Sequence, residues 1–386
     1  MALTLFLALA FAAFLLVLRG PWWFDGEYID RGELRSGSAA LVTGLRTALI
    51  QLIAAAGAGI ALLYTARNYR LTRRGQVTDR FTKALERLGS DEMYIRIGGV
   101  IALEQILQDA PEQSLHTAQV LGAFIRRRAP KARSINVELT TRVVNARKTA
   151  MRRPGASTGR EQPLPLTPDE DVQAALTVLT RPDLRRRIGP AGADFSNLHL
   201  AGATFYESDL SYFNLSGATL SEARLRSAIL VETNLDDADL SNSDISHANC
   251  TNARMNKANL SGSWVARANF TKAFMHHANL TECYILGGVF KNTRLQDSIF
   301  NAATIDEVDF TDTNLRGASF NGARFSDSVL DYAILEDADL TESHGITVEQ
   351  AVKSIISEGT RLPIELQTDV AIRERQKNSP EPRWDV

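Results

Sequence analysis

Cysteine is nearly absent. Cys250 and Cys283 are the only two in 386 residues, so no disulfide framework holds this chain, and a reducing compartment suits its folded part. Proline is sparse at 12 residues, and 44% hydrophobic against 23% charged content excludes collagen-like sequence and disorder throughout. An excess of one charge is missing too, since 43 Lys and Arg face 45 Asp and Glu. No His-Glu-x-x-His, Gly-x-Ser-x-Gly or phosphate-loop sequence occurs, so no nucleophile, general base, metal site or cofactor is legible and the chain is not expected to be an enzyme.

Charge is also lacking locally. Residues 1–18 contain no ionisable side chain and are rich in Leu, Ala and Phe, enough for a helix of roughly 27 Å. A cleaved signal peptide competes with an uncleaved anchor here, but no basic stretch precedes the run and no clear small-x-small site precedes Arg19. A second apolar run, from about Leu45 to Tyr64, is also long enough to span. Between the two lie Trp22 and Trp23, suited to a membrane interface, and an acidic loop with Asp25, Glu27, Asp30 and Glu33. After the second run come Arg67, Arg70, Arg73 and Arg74, candidate contacts for anionic lipid, then Arg80 and Lys83. The positive-inside rule therefore predicts a two-pass plasma-membrane protein with both termini cytoplasmic. Ala55, Ala58 and Gly59 would permit close helix approach, and with it a homo-oligomer formed through the transmembrane helices.

Helical spacing follows in three sets: Phe81, Leu85 and Leu88; Ile97, Val100, Ile101, Leu103 and Leu107; and Ala118, Leu121, Phe124 and Ile125. Such short amphipathic helices persist by packing on one another, which predicts a small all-α domain. In Arg96-Ile97-Gly98-Gly99 the glycines are read as points of close helix packing. Residues 126–153 hold ten Lys and Arg against Glu138 alone, and run into a Pro/Gly-rich linker. This basic stretch has no interleaved aromatics, so nucleic acid is the least favoured of its possible partners, behind anionic lipid and the acidic part of the chain itself. Thr167-Pro168-Asp169-Glu170 has the composition of a helix start, opening a helix to about Thr180.

The rest of the chain is governed by a period of five. From Phe195 to Leu340 every fifth residue is apolar, 30 times in succession, and the residue two places earlier is small except at Leu198, Phe213 and Val308. A period of five matches neither the 3.6 of a helix nor the 2 of a strand. Units such as Ala-Asn-Leu-Ser-Gly and Ala-Asp-Leu-Thr-Glu closely resemble the pentapeptide-repeat family over residues 193–342. That resemblance implies a mainly β fold, a right-handed quadrilateral β-helix with one pentapeptide per side, about 36 Å long at ~4.8 Å per coil. Residues 20 apart then stack. Phe270, Phe290 and Phe310 should form one internal column, and Phe300 with Phe320 a second. Cys250 and Cys283 face inward on different sides, and His276 and His277 lack further ligands at metal spacing. The position before each central residue should project outward. There Trp264 and Tyr284 form an exposed pair one coil apart. Acids outnumber bases 21 to 10 in this segment, with clusters that include Asp236, Asp237 and Asp239, and Asp306, Asp309 and Asp312.

With Tyr64-Thr-Ala-Arg-Asn-Tyr-Arg-Leu and Asp171-Val-Gln-Ala-Ala-Leu ahead of the repeats, nearly the whole chain resembles membrane-anchored pentapeptide-repeat proteins of actinobacteria. The expected organisation is a two-helix transmembrane hairpin (1–65), a helical domain (66–130), a basic linker (131–166), a capping helix and lead-in (167–192), the β-helix (193–342), and a C-terminal capping helix (343–386) with a loosely ordered tail. The expected function is a non-enzymatic membrane-tethered scaffold, with the lipid bilayer and an unidentified protein as partners. Two alternatives stand beside it. Some pentapeptide-repeat proteins mimic DNA and bind a topoisomerase such as gyrase, and the acidic rod fits that class. The other is a membrane-permeabilising or signalling effector whose rod senses a partner.

Overall fold

In the computed structural model the described residues are 12, 15, 19, 38–132, 164–189 and 193–378. The chain divides into two compact units, Met1–Asp79 and Arg80–Val386. Among the described residues one helix is long and apolar enough to cross a membrane, and its apolar window is not buried by other parts of the protein. It belongs to α1, Ser38–Leu88. Leu52, Ile60, Leu62 and Leu63 stand fully in the open along it. The expected first span at 1–18, apart from positions 12 and 15, and the loop with Trp22 and Trp23 lie outside the described residues. The first helical set, Phe81, Leu85 and Leu88, is not a separate helix. Residues 65–79 contain no proline and one glycine, Gly75, so nothing in them stops α1 before Leu88.

In the second unit, α2 (Met93–Asp109) and α3 (Ser114–Arg128) pack with α4 (Glu170–Thr180), burying Val100, Leu103, Ile106, Leu121, Ile125, Val172 and Leu176. Gly99 lies where α2 meets the last turns of α1, and a Cβ there would come within 3.0 Å of the Ala84 carbonyl oxygen and the Leu88 nitrogen. The expected helix start at Thr167 shifts, with Asp169 in the N-cap position. Pro182 follows this helix after Arg181. It opens another, α5 (Pro182–Ile188), where its missing N–H costs nothing.

The bundle is pinned by a buried ion pair. Asp171, fully buried in the first turn of α4, accepts from Arg96 Nε, and Arg128 Nε lies 3.5 Å from the same carboxylate. Arg96 also donates to the Ser90 and Asp91 carbonyls. The helix expected to be a separate cap on the rod is thus an integral member of the helical bundle.

From Asp194 to His344 the chain winds in coils of 20 residues, backbone bridges joining a residue to the one 20 later, as in Asp194↔Asn214 and Asn214↔Asn234. The central residue of each pentapeptide donates its N–H to the next coil, as Leu215 does to the Asn234 carbonyl at 2.7 Å. Two residues further on the backbone enters the left-handed region, at φ 58° for Asp237 and 59° for His247, which turns the corner. Inside, Phe270 stacks on Phe290 at 4.7 Å, Phe290 on Phe310 at 5.2 Å, and Phe300 on Phe320 at 4.9 Å. Buried hydroxyls in the small position donate to carbonyls of the preceding coil or of their own, as Ser298 does to Leu295. Thr293 donates to the Phe270 carbonyl and Thr313 to that of Phe290.

Open coil ends would expose unpaired backbone, and both are covered. At the first coil, Lys131 bridges Leu198 antiparallel, the Thr180 carbonyl accepts from Asp209 N–H, and the Gln173 amide both accepts from and donates to the Thr204 backbone. At the other end, Ile355 and Arg361 pair with Ile334 and Asp339 around α6 (Val348–Lys353), which opens with a Thr347–Gln350 capping box. Residues 364–377 of the tail expected to be loosely ordered form α7 (Ile364–Gln367) and α8 (Val370–Lys377), held by the Asp369 cap, by buried Ile372, and by Arg375 donating to the Ser354 carbonyl.

Replacing Asp171 with Asn leaves Arg96 buried without its counter-charge and should destabilise the bundle by about 3–5 kcal/mol. The expected readout is a lower urea midpoint for the helical circular-dichroism signal, with the Arg96→Met, Asp171→Leu pair recovering most of the loss.

Candidate interaction surface

Most pentapeptides present their pre-central residue at the surface, and in 13 of the 30 that residue is Asp or Asn, for a local reason. Its side-chain oxygen accepts the N–H two residues on: Asp209 from Ser211, Asp244 from Ser246, Asn269 from Thr271 and Asp309 from Thr311. Asn side chains also join coils, as Asn259 donates to Asp239 and Asn279 to Asn259. Sequence reasoning counted these acids as surface charge and missed their turn-forming part. The Asp or Asn followed two places later by Ser or Thr is the signal that was present.

The singled-out acids do not share a face. Asp236 is consumed internally, accepting from Arg254 Nε at 3.0 Å, from Asn256 N–H at 2.9 Å and from Asn256 Nδ2 at 2.9 Å. Asp239 and Asp309 hold turns, and Asp237 and Asp312 occupy left-handed corner positions on different edges. Asp306 alone of this set lies on the aromatic face, in β2.

That face carries three short parallel strands, β1 (Tyr284–Leu286), β2 (Thr304–Asp306) and β3 (Arg324–Ser326), in register Tyr284↔Thr304↔Arg324. Trp264 bridges Tyr284 one coil earlier. Their rings stack at 4.7 Å with an interplanar angle of 13°, yet remain 50% and 45% exposed. Fixed at a coil spacing, the pair is a rigid apolar edge whose ordering cost has already been met by the fold. Phe274 sits on the opposite side with Arg294 over its ring at 4.8 Å.

Arg67 and Arg70 are exposed on α1, and Arg73 and Arg74 lie on the same helix. Among the described residues no group of three His, Cys, Asp or Glu side chains is placed to hold a metal ion. Both cysteines are core thiols. Cys250 is fully buried, Cys283 donates to the Leu260 carbonyl at 2.9 Å, and burial pushes each thiol up to about 12.

The profile of the family described as Pentapeptide repeats matches residues 191–285, in overlapping segments, and 309–344, with eight copies in all. Among solved structures, alr5209, a pentapeptide repeat protein from Nostoc PCC 7120, is 36% identical, with a TM-score of 0.22 over 22% of this chain and 69% of its own. HetL, a pentapeptide repeat protein involved in heterocyst differentiation regulation from the cyanobacterium Nostoc sp. strain PCC 7120, is 26% identical over 39% of this chain and 76% of its own, at a TM-score of 0.19. QnrB1, a plasmid-mediated fluoroquinolone resistance protein, is 19% identical over 47% and 87%, at a TM-score of 0.28. No curated protein matches the chain. Residues 191–285 and 309–344 are pentapeptide repeats.

Two outcomes follow from the titrating groups. Neither cysteine should react with a thiol-specific disulfide reagent at pH 8 in the native protein, and both should react in denaturant; native labelling would contradict the burial. At the last full coil, burial works against the Asp339 charge, but hydrogen bonds from Thr341 and the Arg361 guanidinium outweigh it and hold the carboxyl below its ordinary value. A depressed folded pKa adds stability above the unfolded value near ~4, and that stability is lost as pH falls through the folded value. Asp339→Asn should therefore lower the urea midpoint at pH 7, and the gap to wild type should close below about pH 4.

Proposed function

We propose that this protein is a non-enzymatic, membrane-tethered scaffold that presents its β-helix to a protein partner through the Trp264–Tyr284 face. The observation that carries the reading is the stacked aromatic pair, half exposed on a closed rod whose ends are covered by other elements of the chain. Tethering rests on the exposed apolar stretch of α1, followed on the same helix by Arg67, Arg70, Arg73 and Arg74. The positive-inside rule then assigns the rod to the cytoplasmic side of a plasma membrane, with residues 1–18 as a further span. Ala55, Ala58 and Gly59 support a homo-oligomer through the transmembrane helices.

The acid excess of the repeats favours a second reading, a DNA-like surface for a topoisomerase such as gyrase. Its weakness is geometric. A phosphate mimic needs free carboxylates in a continuous stripe, whereas Asp236, Asp239 and Asp309 are engaged in the fold.

Proximity labelling in cells, with the labelling enzyme fused after Val386, tests the leading reading. The Trp264→Ala, Tyr284→Ala variant should fractionate with membranes like wild type but lose specific labelled proteins. An unchanged labelled set would refute the aromatic face, and inhibition of gyrase supercoiling by the purified chain would favour the second reading.

A further inference from the structure

The aromatic column stops abruptly. Trp264 covers one side of the Tyr284 ring, and among the described residues no other ring or guanidinium stacks on it. The next residue in register is Thr304, too short to cover a phenol ring. On the opposite side of the rod the same geometry is completed from within. Phe274 is bridged one coil later by Arg294, whose guanidinium lies over the ring at 4.8 Å. The rod therefore shows what fits on an aromatic ring at a coil spacing, and the Tyr284 column lacks it.

The charge around that position is of one dominant sign. Asp306 is half-buried in β2 beside Thr304, Glu307 is exposed at the following corner, and Asp327 is exposed one coil beyond. Among the described residues neither Asp306 nor Glu307 takes part in an ion pair. Two cations border the neighbourhood: Arg324, which pairs in register with Thr304 and so lies two coils from Tyr284, about 10 Å along the rod axis, and Arg267, whose backbone N–H donates to the Leu286 carbonyl one coil earlier. Three carboxylates against two guanidiniums leave a net negative charge next to an uncovered π-face.

Resting on the scaffold reading above, we propose that this face recognises a basic segment of a partner protein by an arginine side chain, its guanidinium stacked on Tyr284 over Thr304 and paired with Asp306 and Glu307. Arginine fits better than lysine because its planar, weakly hydrated guanidinium lies flat on a ring while its N–H groups still reach carboxylates. An anionic or purely apolar segment would meet Asp306 and Glu307 unpaired. The arrangement reproduces, between two chains, the contact that Arg294 makes on Phe274 within one.

The full-length chain in detergent micelles, titrated with a fluorescent peptide bearing spaced arginines, tests this by anisotropy. Wild type should bind the arginine peptide at least about fivefold more tightly than a lysine version, and more tightly still than a neutral citrulline version. Tyr284→Ala should weaken arginine-peptide binding about tenfold, while Tyr284→Phe retains it. Thr304→Arg, which supplies the missing guanidinium from within, should weaken it comparably without disturbing the fold. Asp237→Asn, an acid on another edge, is the control for general charge attraction and should change little. Equal binding of the citrulline peptide, no binding of the arginine peptide, or wild-type affinity in both Tyr284→Ala and Thr304→Arg would overturn the proposal. If that occurs while Trp264→Ala, Tyr284→Ala still abolishes labelling in cells, the ligand class is wrong and the scaffold reading stands. If the double variant is silent in both experiments, both readings fall.

Discussion

The backbone hydrogen bond between one coil and the next is the constraint on which the rest of this molecule depends. Each central residue can donate to the following coil only if a side of the rod takes five residues, so that position repeats every 20. A single inserted residue would turn a buried Leu or Phe outward and an Asp inward. The left-handed corner residue is the local cost of that closure. Asp237, His247, Asn252 and Lys257 all occupy it without being glycine, a conformation L-residues seldom adopt. They are held there by ladders on both sides, which is why no coil is stable in isolation and why both ends must be closed by other elements.

End closure links the rod to the helical bundle. Gln173 and Thr180, on α4, satisfy the first coil's backbone, and Asp171 on the same helix is tied to Arg96 and Arg128. Arg185 on α5 donates to the Ser211 carbonyl and lies 4.5 Å over the Phe213 ring. The bundle is thus the rod's terminating surface as well as a domain with its own core. A change at Asp171 acts on the rod through the orientation of α4.

Much of this was legible in the sequence because the repeat converts spacing directly into geometry. A separation of 20 places Phe270 under Phe290 and Trp264 beside Tyr284 without further information, and the stacked rings at 4.7 Å in both columns follow from it. What was not legible depends on partners that no period specifies. Arg96 and Asp171 are 75 positions apart, on either side of a basic, patternless segment, and each alone reads as an ordinary surface charge. The C-terminal helices rest on single residues such as Ile372 and Asp369, too few to give a helical periodicity. The acids misled for the opposite reason. Composition gives their number, but only the hydrogen bond from Ser241 to Asp239, or from Asn256 to Asp236, shows which carboxylates are already committed.

That distinction gives the aromatic face its meaning. At the pre-central position Asp and Asn serve the fold by accepting the N–H two residues on, so a departure from them forgoes a turn-stabilising bond. Tyr284, Thr304 and Arg324 are three successive departures in one column, and there the backbone runs instead as regular parallel strand. The fold gains no turn bond from Trp264 or Tyr284, and their stacking buries only half of each ring. Large apolar surface left in water is unfavourable unless something covers it. From Trp264 to Arg324 this column carries no turn-building Asp or Asn, and the position is free there to be shaped by what the rod contacts.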